Sequence, residues 1–428
     1  MGKTFSLQSM VAGGWPTWAL FAMVLAVAPF IFTSGLAITV LSQMGIAIIA
    51  CLSYNMLLGQ GGMLSFGHAV YTGLGAFMAI HALNAASSGS MPIPVSAVPL
   101  VGGVAGMGFA VLLGYVTTRK AGTTFAMITM GMGELVFAMS LMIPEFFGGE
   151  GGVSGNRVVG SAVMGITYGP PVQVYYLIAV YTFVAVGLMY AFTQTPLGRM
   201  LNAVRDNPER VEFVGYNTQR VRYIAFIIAG FFAGISGGLG ALNFEIVTAE
   251  VVGAARSGAY LLFTFLGGAT FFFGPIIGAV LMVLAFVLFS EFTKAWLLYL
   301  GLIFLFMVMY APGGIASLIM MNVRVAAFGK LRQLWKSYLG LAVTGVVMLA
   351  GASALVEMTY HLQLAGGQGT ELQFFGVTLN VASTGSWLGS VVVMGIGFVL
   401  FEMVRRRFAR EWGAIQEFIE QEMHRRAS

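Results

Sequence analysis

The chain has 428 residues, of which 58% are hydrophobic and only 9% charged, with a mean hydropathy of +0.88. No soluble core needs that balance; repeated apolar runs of about 20 residues match the thickness of a bilayer, and they lack the alternation of barrel strands. The net charge of +5 reports Lys and Arg on the cytoplasmic side of a membrane protein rather than a nucleic-acid partner, and the single cysteine, Cys51, excludes an intrachain disulfide.

The predicted fold is therefore all-α: a polytopic helical membrane protein with about nine or ten transmembrane helices plus re-entrant or broken ones. Residues 1–15 form a weakly basic lead, and 18–32 read as a first span, because no small-residue cleavage site follows and more spans do. Further runs lie at 36–58, 64–83, 95–116, 123–143 and 172–192. Arg119 and Lys120 sit in one connection, whereas 144–171 carries Glu145, Glu150 and only Arg157. The positive-inside bias puts the first of these in the cytoplasm and the second outside, with the N-terminus cytoplasmic. Among 58 glycines, the pairs Gly102/Gly106 and Gly230/Gly234 and the next step to Gly238 have the spacing that lets helix backbones touch.

The segment 195–222 is polar and mostly basic between two apolar runs. It reads as a short helix containing Gly198, Arg199, Arg205 and Asp206, a break at Asn207-Pro208, a second short helix, and a stop at Gly215. Two readings stand side by side: an element gripped by a cytoplasmic partner, or an ordinary loop that fixes orientation.

After the run at 223–243, simple counting fails. The acid-free stretch 322–336, with Arg324, Lys330, Arg332 and Lys336, belongs in the cytoplasm only if 259–289 makes no net crossing. Its middle, GGATFFFGP from Gly267 and Gly268 to Pro275, breaks a helix. The favoured reading is a re-entrant pair of half-helices, the alternative a single kinked span. An earlier glycine-rich break, GQGGMLSFG at 59–67, is flanked by Asn55, Gln60, Ser65 and His68, a polar lining such as a transport pathway requires. Glu134 lies mid-span, where a carboxylate should face the bundle interior or water, either to meet a solute or to pair with a neighbouring donor. His68 likewise either titrates or satisfies a nearby carbonyl. Spans at 338–356 and 387–404 flank an external stretch with a hairpin at 372–381, and the tail from Arg405, also cytoplasmic, suits either an amphipathic helix on the inner membrane face or a solvated basic extension. Phosphate-binding, zinc-protease and nucleophile-elbow signatures are missing, so no catalytic residue, metal or cofactor is expected.

YNMLLGQGGMLSFGHAVYTGLGAFMA, TFAMITMGMGEL, TPLGRMLNAVRDNPERVEFVGYN, LGGATFFFGPIIGAVLM and MYAPGGI, in that order, resemble the signature segments of LivM-type branched-chain amino acid ABC-transporter permeases. Asp206 stands where that family usually has Glu, and the third glycine of its second break is missing. The resemblance implies a permease domain at 1–320, with 321–428 an extension that carries two extra spans and the basic tail. It implies a non-enzymatic pore subunit in a bacterial inner membrane, surrounded by lipid. Its partners would be a second, homologous permease, two cytoplasmic ATPase subunits and an extracytoplasmic binding protein. Asn55, Gln60, Ser65, His68, Glu134, Gly267 and Gly268 would line the substrate pathway. Gly198, Arg199, Arg205, Asp206, Asn207 and Gly215 would couple to the ATPases. Branched-chain amino acids, urea, short amides and aromatic acids are all open as substrates. The rival is an ion- or proton-coupled transporter working alone, with Glu134 and His68 in a proton path.

Overall fold

The computed structural model describes residues 14–159, 166–364, 370–374 and 377–427. The protein is a polytopic helical membrane protein. Among the described residues nine helices are long and apolar enough to cross a bilayer, or up to ten if Trp296–Tyr310 and Gly314–Ala327 make one broken span. The chain divides into two compact units, Met1–Val287 with Phe304–Ser317, and Leu288–Ile303 with Leu318–Ser428.

The first unit opens with α1 (Trp15–Ile31) and α2 (Gly35–Asn55), the latter capped by Ser34 and prolonged by a π-helical turn to Gln60. After the glycine break come α3 (His68–Ser87), α4 (Val98–Thr117), α5 (Gly122–Met142) and α6 (Pro171–Gln194). Two short helices, α7 (Pro196–Asp206) and α8 (Pro208–Phe213), lead into α9 (Thr218–Phe244). That helix starts five residues before the expected apolar run, because Asn217 caps it and its first turns carry the polar side of the α7–α8 element. The glycine spacing does what it promised. A side chain at Gly102 would meet the Gly234 carbonyl at 2.7 Å, and one at Gly106 would meet the Gly234 Cα at 2.8 Å, so α4 and α9 touch along their backbones.

The connection between α5 and α6 is tied to α9 by its one basic residue in sequence, Arg157. Glu245 ends α9 in the left-handed conformation (φ 56°), and its carboxylate accepts the Arg157 backbone N–H at 2.8 Å. The mostly buried Arg157 guanidinium donates to the carbonyls of Tyr168 and Asn243 and lies 3.6 Å from Glu245. A two-residue ladder, β1 (Val153–Ser154) against β2 (Ile246–Val247), closes the knot. Arg157 therefore spends its charge on carbonyls that no helix satisfies.

The run at 259–289 resolves into α10 (Ala254–Gly267) and α11 (Gly274–Leu284), which continues through a π turn to Phe289. Gly278 faces the Phe263 carbonyl and Gly267 faces Gly274, so partners approach as the chain runs out and back: an antiparallel helical hairpin, whose second arm, continued to Phe292, is by itself long and apolar enough to cross a bilayer. Glycines on both arms allow this contact. The unit ends with the first turn of α13 (Gly314–Ala327), preceded by part of α12 (Trp296–Tyr310). Gly268 (φ 114°) packs on Gly313 and Ala316 there.

In the second unit α14 (Leu331–Leu364) and α15 (Thr384–Ala427) form a long helical pair, with a short hairpin of β3 (Glu371–Phe374) and β4 (Val377–Asn380) between them. Forty-four helical residues reach about 66 Å, twice the apolar thickness of a bilayer. The tail is thus the continuation of a span, not a separate helix lying on the membrane. Its apolar stripe is used internally: Ile415 and Ile419 pack with Val325 and Leu334, flanked by Phe408 and Trp412. Lys330 lies over the Phe418 ring at 4.4 Å.

Candidate functional site

The break between α2 and α3 gathers the polar residues that the sequence placed near it. Gly62 takes a positive φ of 62°, and the chain then runs without regular structure to Gly67 before α3 begins at His68. Asn55, Ser65 and His68 are all buried. Ser53 Oγ bonds His68 Nε2 at 2.9 Å, and the Tyr54 hydroxyl donates to the Ser65 carbonyl at 3.0 Å. The His68 ring sits edge-on to Tyr54 and Tyr260. Asn55 Oδ1, Gln60 Oε1, Ser65 Oγ and His68 Nδ1 are buried without a hydrogen-bond partner among the described residues. Four orphaned polar atoms in one place are a liability in a core and an asset along a hydrophilic path.

Neighbouring elements hold this break in shape. The Phe66 N–H donates to Thr129 Oγ1 on α5 at 3.1 Å, and the Ala69 N–H to Ser257 Oγ on α10 at 3.0 Å. The second break touches the first, since Gly59 lies against the Ala269 carbonyl beside Gly267 and Gly268. The aromatic run serves packing, with Phe272 edge-on to Tyr190 at 5.2 Å.

Glu134 departs from expectation. It does not turn into the bundle of this chain but stands on the exposed face of α5 with Met127, Met130 and Leu135. Its neighbour Gly133 is the buried one, facing Gly67 across the break.

The α7–α8 element has the helix ends its sequence implies. Thr195 Oγ1 accepts from the Gly198 N–H at 3.2 Å, Asn207 Oδ1 accepts from the Arg210 N–H at 2.9 Å, and Gly215 turns the chain at φ 91°. Gly198 is pressed against the Phe192 carbonyl, where no side chain fits. Leu201, Val204 and Val211 anchor the element inward. Arg199 and Asp206 are exposed, but Arg205 is not simply presented to solvent: its guanidinium pairs with Asp206 at 2.9 Å and donates to the Gly59 carbonyl. Beside the exposed charges stand two apolar groups that are just as open, with Phe213 90% and Val214 70% exposed. Charge counting passed over these two; the signal was an apolar pair beside the glycine stop in an otherwise polar segment.

The profile of one protein family, described as branched-chain amino acid transport system / permease component, matches residues 36–312. The chain belongs to that family. It is a multi-pass transport permease of an ABC system rather than an enzyme, and both breaks, Glu134 and the α7–α8 element fall inside the matched region. Among its relatives are two proteins named high-affinity branched-chain amino acid transport system permease protein LivM. The Salmonella typhimurium LT2 protein is 29% identical over 315 residues, covering 68% of this chain and 72% of the relative. The Escherichia coli K12 protein is 28% identical over 317 residues, with the same coverage. No solved structure matches. Residues 313–428 lie beyond the family match, which ends within the first unit's last segment.

Proposed function

We propose that this permease is one pore subunit of an ATP-driven importer in a bacterial inner membrane, with both termini cytoplasmic. A second, homologous permease completes the translocation pathway, two ATPase subunits grip the α7–α8 element, and an extracytoplasmic binding protein delivers the solute. Branched-chain amino acids are the leading substrates, with similar small solutes as the wider class.

The observation that carries this reading is the α7–α8 element. Its tip exposes Phe213 and Val214 as an apolar knob, the kind of anchor that fills a partner's groove. Its base is wired to the pathway through Arg205 and Gly59, and Gly59 touches the second break at Ala269. A push on the knob thus reaches both glycine breaks through two contacts. A carrier working alone has no use for such a lever. The position of Glu134 supports the same choice. A carboxylate on the outer face of a mid-span helix is costly against lipid, so a second protein surface is its natural cover. It is also exposed, about 100° around α5 from Gly133, which faces the break that holds His68, and this argues against a direct proton path joining the two.

The test is uptake in proteoliposomes carrying the permease with its partners. ATP enclosed with the ATPases should drive uptake, and an uncoupler at constant ATP should leave it unchanged. Uptake that collapses with the uncoupler would replace the importer by a proton-coupled carrier.

A further inference from the structure

The first unit holds a cavity of about 130 Å³ between α2, α3, α9 and the α10–α11 hairpin. At about 10–15 Å³ for each water-sized position, it offers room for roughly ten such positions, on the scale of a small amino or keto acid. Most of its wall is apolar, with Ile46, Val283 and Phe286 prominent. The polar groups are few: Gln43, Thr72, Ser236, Tyr260 and one cation, Arg256. No Asp or Glu lines it. Arg256 stands in the first turn of α10, at the exposed end of the cavity, and among the described residues its guanidinium has no ion pair or hydrogen bond. Tyr260 closes the inner end, and its ring is edge-on to His68 at 6.3 Å, the start of the polar break.

We infer that this cavity is a carboxylate-selective solute site, in which Arg256 receives the carboxylate and the apolar wall takes the hydrocarbon body. A planar guanidinium binds a carboxylate through two parallel hydrogen bonds. The N-terminal turn of α10 adds favourable potential for an anion at the same place. Arg256 lacks a counter-ion among the described residues, so an anionic solute provides what no lining side chain does. An α-ammonium, when present, meets only neutral acceptors such as Gln43 and Thr72. The site thus ranks solutes first by carboxylate and second by apolar bulk, which selects branched-chain and aromatic acids and rejects urea and amides. This deepens the importer reading and rests on it for the role of the site in transport.

Two variants separate recognition from folding. Arg256→Gln removes the charge and keeps a shorter, neutral hydrogen-bonding group. Gly240→Met fills the cavity from α9, where a Cβ meets no heavy atom within 4 Å, so the larger residue enters free space and helix formation is not penalised. The full chain in lipid nanodiscs is titrated with radiolabelled L-leucine, competed by isocaproate, which keeps the carboxylate, or by leucinamide, which lacks it. Isocaproate should compete and leucinamide should not. Arg256→Gln and Gly240→Met should each weaken leucine binding about tenfold to a hundredfold with unchanged thermal stability, and Arg256→Lys should recover part of the loss. Equal competition by leucinamide, unaltered binding in Arg256→Gln, or no binding of any of the three probes to the wild type overturns the site. ATP-driven uptake that ignores both variants also overturns it while leaving the importer intact. Variant-sensitive binding with uptake independent of ATP would keep the site and remove the importer.

Discussion

At the scale of single residues, Arg205 and Phe213 stand at the two ends of the proposed lever in the α7–α8 element. Both lie in the segment whose polarity marked it as special, and its caps at Thr195 and Asn207 were legible because an N-cap depends on a few adjacent residues. The direction of Arg205 was not legible. A guanidinium beside an aspartate reads as surface charge, and only the fold brings the Gly59 carbonyl, 146 positions away in sequence, within its reach. Phe213→Asp should abolish docking, so the ATPase subunits no longer co-purify, because an apolar anchor of this kind contributes about 2 kcal/mol or more to an interface. Arg205→Met should keep docking and still lose most substrate-stimulated hydrolysis, since the contact it removes lies on the membrane side of the lever. If Arg205→Met loses docking while retaining stimulation per bound ATPase, the guanidinium belongs to the interface and the lever does not exist.

At the scale of elements, the breaks were readable and their meeting was not. Glycine and proline punctuate a helix locally, so GQGGMLSFG and GGATFFFGP announce themselves. The antiparallel packing of α10 on α11, and the contact of Ala269 with Gly59, depend on the tertiary fold that periodicity does not encode. Helix ends drifted for two reasons: α9 runs back to Thr218 because the local cap at Asn217, not the apolar run, sets its start, and α15 runs on to Ala427 because its stripe meets Val325 and Leu334. The hairpin makes a firm topological prediction. In a background with Cys51 replaced by Ala, single cysteines at Thr248 and Lys294 should both react with an impermeant maleimide from outside, and one at Lys330 only from inside. Reaction of the Lys294 cysteine from inside alone would turn α10–α11 into a net crossing and reverse the orientation of everything after it.

For the whole molecule, the informative residue is the one whose environment one chain does not explain. Composition announced a membrane bundle, and motif order announced the family, because both are written in the chain itself. The surroundings of Glu134 are not, since its carboxylate stands on an exposed face of α5 that the sequence pattern alone does not assign to lipid, water or protein. The exposed face of α5 carries Met127, Met130 and Glu134 at helical spacing, flexible apolar side chains around one carboxylate. Left against lipid, that carboxylate costs about 2.5–3.5 kcal/mol at mid-depth; against a partner's donor or a water-filled path it costs far less. A cysteine at Glu134 should therefore form cross-links to the second permease in the assembled transporter, and react slowly with membrane-restricted reagents there but quickly when this chain is expressed alone. Glu134→Gln, which keeps hydrogen bonding and removes the charge, should assemble normally and lower uptake several-fold without adding dependence on a proton gradient. Glu134→Leu gives the sharper readout. On a lipid-facing surface it should stabilise the protein and leave transport intact, whereas at a pathway between two subunits it should preserve insertion and abolish uptake. We expect the second outcome, measured as uptake per inserted permease, and full activity in Glu134→Leu would return this face to the lipid.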